Sequence, residues 1–288
     1  MPSRQPAGRS RYLTAMWIIR NLSVYNFYMN VLIIADVVAR PGRRAVLDRI
    51  QGLREQYKID VATINAENVA GGFSITPKIA DEFFESGIDL MTSGNHIFDK
   101  QEIIPYIENN PRLIRPANYP PGTPGKGLFV GEIRGFKIAA LNLLGRVFMA
   151  PVDDPFRAAD EAIKSISDDI KIRLVDMHCE ATSEKYAMGW FLAGRVSAVV
   201  GSHTHVQTAD ERILEGGTAY ITDVGMTGSY AGVIGMDKDD VLARFTTFPA
   251  RRAEHAKGDV WICAVVVEID EKTGKANKIT RLRLQHQE

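Results

Sequence analysis

The fold is decided most clearly by residues 198–205, which read Ala-Val-Val-Gly-Ser-His-Thr-His. The first three residues are apolar and partly β-branched, which is typical of a buried strand, and the run ends at Gly201. His203 and His205 follow, and alternate residues of an extended backbone point the same way if the chain turns little between them. A lone histidine pair is more often ordinary packing than a metal site, but here a strand and a glycine precede it. The stretch therefore predicts a strand whose carboxyl end brings two imidazoles together.

Similar apolar runs that end in polar residues recur along the chain and alternate with segments of helical periodicity. The predicted helices include Arg43–Gln56 and Thr76–Ser86, the second with Thr76 as its cap and Pro77 in its first turn. This alternation predicts an α/β layered fold, and a hairpin between the last two strands makes the sheet mixed. The predicted strands are Val31–Ala35, Val61–Ile64, Leu90–Thr92, Lys137–Asn142, Arg173–Met177, Ala198–Val200, Ala219–Thr222, Val260–Ile269 and Ile279–Leu284.

The composition excludes several classes of protein. Lysine plus arginine and aspartate plus glutamate both total 35, so no global field attracts a polyanion and we expect no stable binding of a nucleic-acid duplex. Cys179 and Cys263 are too few for a disulfide framework and fit a reducing cytoplasm. No uninterrupted apolar stretch reaches the roughly 20 residues that span a bilayer, so we expect no membrane association.

The N-terminal segment differs from the rest of the chain because it contains arginines but no acidic residue before Met29. Arg20, Asn21 and Asn26 interrupt its apolar stretch, which argues against a secretory signal. We expect residues 1–28 to be an N-terminal extension, either disordered or the product of a wrongly assigned start site. Residues 29–288 are expected to form a single catalytic domain.

Side chains that can bind metals follow five of the predicted strands. A lone aspartate after a strand is usually a cap or a turn residue, but metal-binding side chains at the ends of five strands indicate a shared site. In open α/β sheets, the carboxyl ends of strands meet at the crevice where ligands bind. The residues at these ends are Asp36, Glu67, Asn68, Asn95, His96, His178, His203 and His205.

The order of these residues resembles the calcineurin-like metallophosphoesterases, whose pattern runs D-x-H, G-D, G-N-H, H and G-H-x-H. The chain departs twice, since residues 36–38 lack the first histidine and Glu67-Asn68 replaces the G-D step. Ala35 and Ala39 stand where the closer family usually has glycine. From Met29 to Leu284 the chain resembles the bacterial 2′,3′-cyclic-nucleotide 2′-phosphodiesterases, and this resemblance is carried by Ile33–Val38, Asn65–Asn68, Arg115–Asn118, His178–Lys185 and Ile221–Gly228.

The resemblance implies a metallophosphoesterase-like α/β/β/α sandwich with mixed sheets and a dinuclear metal centre. It implies that Asp36, Glu67, Asn68 and His205 hold one ion, and that Glu67, Asn95, His178 and His203 hold the other. Glu67 would bridge two divalent or mixed-valence ions. Iron is the usual metal of the family, and oxygen and imidazole ligands also suit manganese or zinc.

The expected activity is hydrolysis of a small 2′,3′-cyclic nucleotide to a 3′-nucleotide, with a metal-bridging hydroxide as the nucleophile. The resemblance assigns His96 the role of proton donor to the departing ribose 2′ oxygen, which suits a histidine beside the ligand Asn95. Two alternatives stay open: a phosphodiesterase or phosphatase acting on other small phosphoesters, or a regulatory metal-binding protein acting through a partner. The sequence also leaves a homo-oligomer open.

Other polar signals carry less weight. His178 and Glu180 have the H-x-E spacing of a zinc deaminase, but the chain has no P-C-x-x-C partner. Gly71–Phe73 could offer backbone NH groups to a phosphate, or be an ordinary loop. Arg146 could bind a phosphate or occupy an ordinary surface position, and both interpretations stay open. His255 lacks companions and is expected to face solvent.

Overall fold

The computed structural model describes residues 28–247 and 253–287. The helices are α1 (Ala39–Tyr57), α2 (Pro77–Ser86), α3 (Ile104–Asn109), α4 (Pro155–Ser165), α5 (Thr182–Leu192) and α6 (Lys238–Thr246), and a short 3-10 turn covers Gln101–Ile103. The strands are β1 (Tyr28–Ile34), β2 (Val61–Asn65), β3 (Leu90–Thr92), β4 (Leu128–Ile133), β5 (Phe136–Leu144), β6 (Ile172–His178), β7 (Ala198–Ser202), β8 (Arg212–Leu214), β9 (Thr218–Ile221), β10 (Gly228–Ser229), β11 (Val260–Asp270) and β12 (Ala276–His286).

Two mixed sheets organise these strands. The first has the order β10-β11-β1-β2-β3, with β12 also paired to β11, and the second has the order β4-β5-β6-β7-β9-β8. The run β1-β2-β3 is parallel, as is the run β5-β6-β7-β9. Antiparallel pairing at β11 and β12 confirms the predicted hairpin.

Three apolar layers hold the sheets and helices together. Alternate residues of each strand point to opposite faces, so one face of each sheet packs on the other sheet and the second face packs on helices. Val31 and Val265 of the first sheet share a core with Val200 of the second. Helices α1 and α2 cover the outer face of the first sheet, and α4 and α5 cover that of the second. The predicted α/β/β/α sandwich is therefore confirmed.

The start of α2 follows the prediction, because the Thr76 side chain accepts a hydrogen bond from the backbone NH of Ile79 at 3.3 Å and Pro77 occupies the first turn. Helix α1 begins at Ala39, four residues before the predicted Arg43. Its N-cap, Val38, forms no side-chain capping bond, and its first turn contains no acidic residue. A helix without these conventional start signals is hard to delimit from sequence.

The predicted extension, residues 1–28, lies outside the described residues except for Tyr28, with which β1 begins. Among residues 28–247 and 253–287, no helix combines the length and apolar character that a bilayer crossing requires.

Candidate metal centre

Both sheets contribute side chains to one crevice at the carboxyl ends of their parallel strands. The first sheet supplies residues that follow β1, β2 and β3, and the second supplies the last residue of β6 and the turn after β7. Parallel pairing aligns these strand ends, which is why residues distant in sequence meet here. The structure brings together the seven predicted ligands, Asp36, Glu67, Asn68, Asn95, His178, His203 and His205, through the contacts described below.

Three of these residues converge on a ring nitrogen of a fourth, and we call the four the His178 group: Glu67, Asn95, His178 and His203. Nε2 of His178 lies 3.0 Å from Glu67 Oε1, 3.1 Å from Asn95 Oδ1 and 3.0 Å from His203 Nδ1. Ligand atoms of Glu67, His178 and His203 all lie within 4.8 Å of one another. One cation could therefore contact these donors together.

Three further residues, Asp36, Asn68 and His205, form what we call the His205 group. Asn68 Nδ2 lies 3.4 Å from His205 Nε2 and donates to Glu67 Oε1 at 3.1 Å, which links the two groups. Asp36 Oδ2 accepts a hydrogen bond from the backbone NH of His203 at 2.8 Å. Glu67 is thus adjacent to both groups.

Each histidine of the centre has its outward nitrogen bonded to an acceptor. His203 Nε2 lies 3.2 Å from Glu180 Oε2, and His205 Nδ1 lies 3.0 Å from the carbonyl oxygen of Ile234. Because carboxylate and carbonyl oxygens only accept, each of these ring nitrogens must carry the proton. The second nitrogen of each ring is left facing the centre, which is how metal-binding histidines are usually oriented.

His178 is oriented in the same way by a buried chain of side chains. Ser202 Oγ donates to Asp176 Oδ1 at 2.6 Å and therefore accepts from His178 Nδ1, at 3.0 Å. Asp176 also accepts hydrogen bonds from Asn65 and Thr92. The sequence analysis missed Ser202 and Asp176, although Asp176 lies two residues before His178 on β6 and so faces the same side of the strand.

The unsatisfied atoms of the crevice fit a cation. Asp36 is fully buried, and its Oδ1 has no hydrogen-bond partner in the described part of the chain. Burial raises the pKa of Asp36 to about 6, although His205 and His178 oppose this increase. A buried carboxylate oxygen without a partner is costly, and a bound cation would supply the missing interaction.

The protonation of the His178 group supports the same conclusion. Burial alone would lower the pKa of His178, but Glu67, Asp36 and Asp176 raise it to about 9. Burial alone would likewise raise the pKa of Glu67, but the His178 charge and its hydrogen bond lower it to about 2. Burial and His178 lower the pKa of His203 to about 3. A cation that replaced the Nε2 proton of His178 would therefore meet an ionised Glu67 and a neutral His203, which keeps its proton on Nε2 and presents Nδ1.

The turn after β7 differs from the extended backbone that the sequence suggested. His203 has φ of 96° and His205 has φ of 64°, so the chain turns sharply between them. The two imidazoles reach the same crevice but enter different groups, His203 beside His178 and His205 beside Asn68. Asp36 also has a positive φ, of 41°. Left-handed residues other than glycine cost about 1–3 kcal/mol each and concentrate at functional sites.

A buried ion pair holds this turn. Lys185 Nζ lies 2.6 Å from Asp223 Oδ2, with both side chains 1% exposed. The same carboxylate accepts from the backbone NH of Thr204 at 3.2 Å and from its hydroxyl at 2.7 Å. Lys185 and Asp223 therefore fix the residue between His203 and His205, and neither was identified as a site residue from the sequence.

Gly94 allows the backbone after β3 to approach the centre. A Cβ atom at this position would overlap the Glu67 carboxylate and the His178 ring. The close approach also lets the backbone NH of His96 donate to Glu67 Oε2 at 3.0 Å.

His96 lies beside the centre rather than within either group. Its Nδ1 donates to Asp99 Oδ2 at 2.7 Å, and its ring meets Phe73 edge-on at 5.0 Å. The imidazole is partly exposed, which leaves Nε2 available to a substrate. This position is compatible with the predicted role of a proton donor.

The remaining sequence signals have different outcomes. Arg146 Nη1 lies 3.7 Å from Asp154 Oδ2, and the exposed position of both side chains favours the surface interpretation. Gly71 and Gly72 have φ of 73° and 84°, which forms a turn next to Phe73. The expectation that His255 faces solvent is wrong, because its ring packs against Gly72 and its Nδ1 is buried.

Comparison with known proteins extends these observations. A family model described as "YmdB-like protein" matches residues 32–282. The 2′,3′-cyclic-nucleotide 2′-phosphodiesterase of Bacillus subtilis (strain 168) is 49% identical over 254 residues, which cover 88% of this chain and 96% of that protein. A crystal structure described as a novel phosphatase from Mycoplasma pneumoniae has a TM-score of 0.85 at 31% identity, covering 90% of this chain and 94% of that one. A Thermus thermophilus protein described as hypothetical has a TM-score of 0.84 at 39% identity, covering 90% of this chain and 100% of that one.

Proposed function

The chain belongs to the YmdB-like family, and from this membership and the His178 group we propose that it is a metal-dependent phosphodiesterase that hydrolyses 2′,3′-cyclic nucleotides to 3′-nucleotides. The observation that carries the proposal is the convergence of Glu67, Asn95 and His203 on Nε2 of His178, whose Nδ1 lies 3.9 Å from Asp36 Oδ1, an atom without a hydrogen bond in the described residues. The substrate class follows from the name of the Bacillus relative.

The family resemblance and the two groups of contacts support the following assignment of ligands. Asp36, Glu67, Asn68 and His205 would hold one cation, and Glu67, Asn95, His178 and His203 would hold the other. Two divalent cations, when bound, stabilise charge on the phosphate oxygens and lower the pKa of water from about 15.7 toward about 7, so that hydroxide is available. The donor set of carboxylate, amide and imidazole suits iron, with manganese or zinc as alternatives.

His96 acts on the leaving group. Breaking the bond between phosphorus and the ribose 2′ oxygen leaves an alkoxide, and a proton from His96 Nε2 converts it to the 2′ hydroxyl. Asp99 Oδ2 accepts the hydrogen bond of Nδ1, which holds the ring in place for the transfer from Nε2. The phosphate stays on the 3′ oxygen, which makes a 3′-nucleotide the product.

The proposed setting is a reducing cytoplasm. Cys179 and Cys263 are both buried and unpaired, and reducing conditions preserve such thiols. Burial and the neighbouring Glu184 carboxylate raise the pKa of Cys179, which argues against a role as a nucleophile.

The test is an assay of the purified protein with iron or manganese against 2′,3′-cyclic AMP, 3′,5′-cyclic AMP and an aryl phosphodiester. We expect metal-dependent turnover that is fastest with 2′,3′-cyclic AMP and yields 3′-AMP, identified by chromatography. Chelator-treated protein is the control and should be inactive. Absence of metal-dependent turnover with every substrate would overturn the enzyme assignment, and 2′-AMP as the product would overturn the proposed bond cleavage.

A further inference from the structure

A basic cavity of about 750 Å³ lies between the start of α1 and the segment Ala253–Gly258. Arg40 and Arg44 line it from the helix, and Lys257 lines it from the opposite wall. The volume is within the range of small-ligand pockets. None of these residues belongs to the metal centre described above.

Both walls of the basic cavity contact segments that lie next to the metal centre in the sequence or fold. The NH of Ala39 donates to the carbonyl oxygen of Asn68 at 2.8 Å, and Arg40 follows Asp36 by four residues, which span at most about 14 Å. On the other wall, a Cβ added to Gly72 would lie 3.1 Å from His255 Nδ1. The cavity therefore neighbours the segments that carry Asp36 and Asn68.

The three cationic side chains of this cavity are exposed. In the parts of the chain that the structure describes, Arg40, Arg44 and Lys257 form no ion pair. Glu254 is the single acid of the lining. Asp237 and Asp240 line a neighbouring cavity together with Lys257, and their carboxylates accept backbone NH groups, including that of Glu254 at 3.0 Å.

The two arginines occupy unfavourable positions for the isolated fold. The N-terminus of a helix carries partial positive charge, so cations in its first turns are destabilising. Arg40 and Arg44 are also four residues apart on α1, the spacing at which like charges repel. Arg43, in the same turn, differs because it lies 4.0 Å from Glu82 Oε2. An anion in the basic cavity would compensate the charge that the fold leaves unpaired.

We propose that the basic cavity binds a second phosphate of the substrate, carried on the 5′ oxygen of the nucleoside whose cyclic phosphate is hydrolysed. This inference rests on the proposed function. Guanidinium groups form paired hydrogen bonds with phosphate oxygens, and an ammonium group adds a point charge. The preferred substrate is then a 2′,3′-cyclic nucleotide with a 5′-phosphate group, either free or as the last linkage of a short oligoribonucleotide.

The experiment compares kcat/KM for three substrates: adenosine 2′,3′-cyclic phosphate, its 5′-phosphorylated form, and the dinucleotide ApA ending in a 2′,3′-cyclic phosphate. The wild-type protein should prefer at least one extended substrate by about tenfold, equivalent to about 1.4 kcal/mol. The Arg40→Gln/Arg44→Gln variant should lose this preference. Arg43→Gln is the control from the same part of the helix: it removes one positive charge outside the cavity, against two in the double variant, and it should keep the preference. The two extended substrates distinguish a free monoester from an internucleotide linkage.

A binding measurement separates this inference from the proposed function. Calorimetric titration with 3′-AMP and adenosine 3′,5′-bisphosphate needs no turnover. Tighter binding of the bisphosphate by wild type and Arg43→Gln, but not by the double variant, would support the basic cavity even if no cyclic nucleotide were hydrolysed. Equal affinities for both ligands in the wild type, or equal losses in Arg43→Gln and the double variant, would overturn it.

Discussion

The His178 group and the His205 group share Glu67 but differ in how completely the protein fixes them. His178 is fully buried, and both of its ring nitrogens are engaged, Nδ1 by Ser202 and Nε2 by the other members of its group. His205 is half-buried, and its ring nitrogens contact the carbonyl oxygen of Ile234 at 3.0 Å and Asn68 Nδ2 at 3.4 Å, while Asp36 Oδ1 has no hydrogen-bond partner among the described residues. The first group is centred on a fully buried and doubly bonded ring, whereas the second is more exposed and leaves one carboxylate oxygen without a hydrogen bond in the described residues.

This difference indicates unequal affinities. A site whose donors are already oriented loses less conformational freedom on binding, so we expect the His178 group to hold its cation more tightly. The His205 group should then exchange its cation more readily. The following variants test this comparison.

Replacing the shared residue should have the largest effect. Glu67→Gln keeps the shape of the side chain but removes the charge that both groups use. We expect kcat/KM to fall by at least roughly 1,000-fold, equivalent to about 4 kcal/mol of transition-state stabilisation, with loss of both metal equivalents. Metal analysis and steady-state kinetics measure these effects. Glu55→Gln, exposed on α1, is the control, and retention of two equivalents by Glu67→Gln would contradict the bridging position.

Removing one histidine from each group should separate the two affinities. We expect His178→Ala to weaken metal binding roughly 100-fold more than His205→Ala, which corresponds to about 2.7 kcal/mol. Titration of chelator-treated protein with manganese gives both constants, and circular dichroism confirms folding of each variant. Equal losses in the two variants would show that the groups do not differ in affinity.

Changing His96 should affect catalysis without affecting either group. His96→Ala should slow turnover by roughly 100-fold, the usual scale for a general acid, with metal content unchanged. Asp99→Asn, which leaves the imidazole in place, should have a smaller effect. Loss of metal from His96→Ala would instead identify His96 as a ligand.

The smallest effect should come from replacing Ser202, whose hydroxyl contacts Nδ1 of His178. Ser202→Ala removes the acceptor of the Nδ1 proton, and outer contacts of this kind change metal affinity by about 10–100-fold, so we expect about tenfold here. The same manganese titration measures it. Ser165→Ala, at an exposed serine of α4, is the control, and unchanged affinity in Ser202→Ala would show that the His178 group needs no such support.

The sequence singled out the residues that the structure brings together because they share one local signal, an apolar strand followed by a polar side chain. Glu67 and His178 are found in this way, and parallel pairing then brings them together. Asp176 and Lys185 carry no comparable signal, because a charged residue inside a strand or helix is recognisable as buried only when its partner is known. The Lys185–Asp223 pair joins residues 38 positions apart. The left-handed turn at His203 was also missed, since positive φ is uncommon in residues other than glycine and the sequence carries no signal for it.

The elements that escaped prediction are short or lie at the edges of the sheets. Strands β8 and β10 contain three and two residues, too few to show an alternating pattern. The basic cavity was missed for a related reason: Arg40 and Lys257 are far apart in the sequence, and the balanced overall charge conceals a local excess.

Oδ1 of Asp36, which has no hydrogen bond in the described residues, would be stabilised by a bound cation. The supply of metal should therefore affect the lifetime of the protein in a cell. A ligand that binds only the folded chain raises its stability by about 4 kcal/mol at a concentration 1,000 times its dissociation constant. Under metal starvation the chain would lose that contribution, populate unfolded forms more often and become a better target for proteases. Scarcity of the ion would then reduce the number of molecules as well as the activity of each.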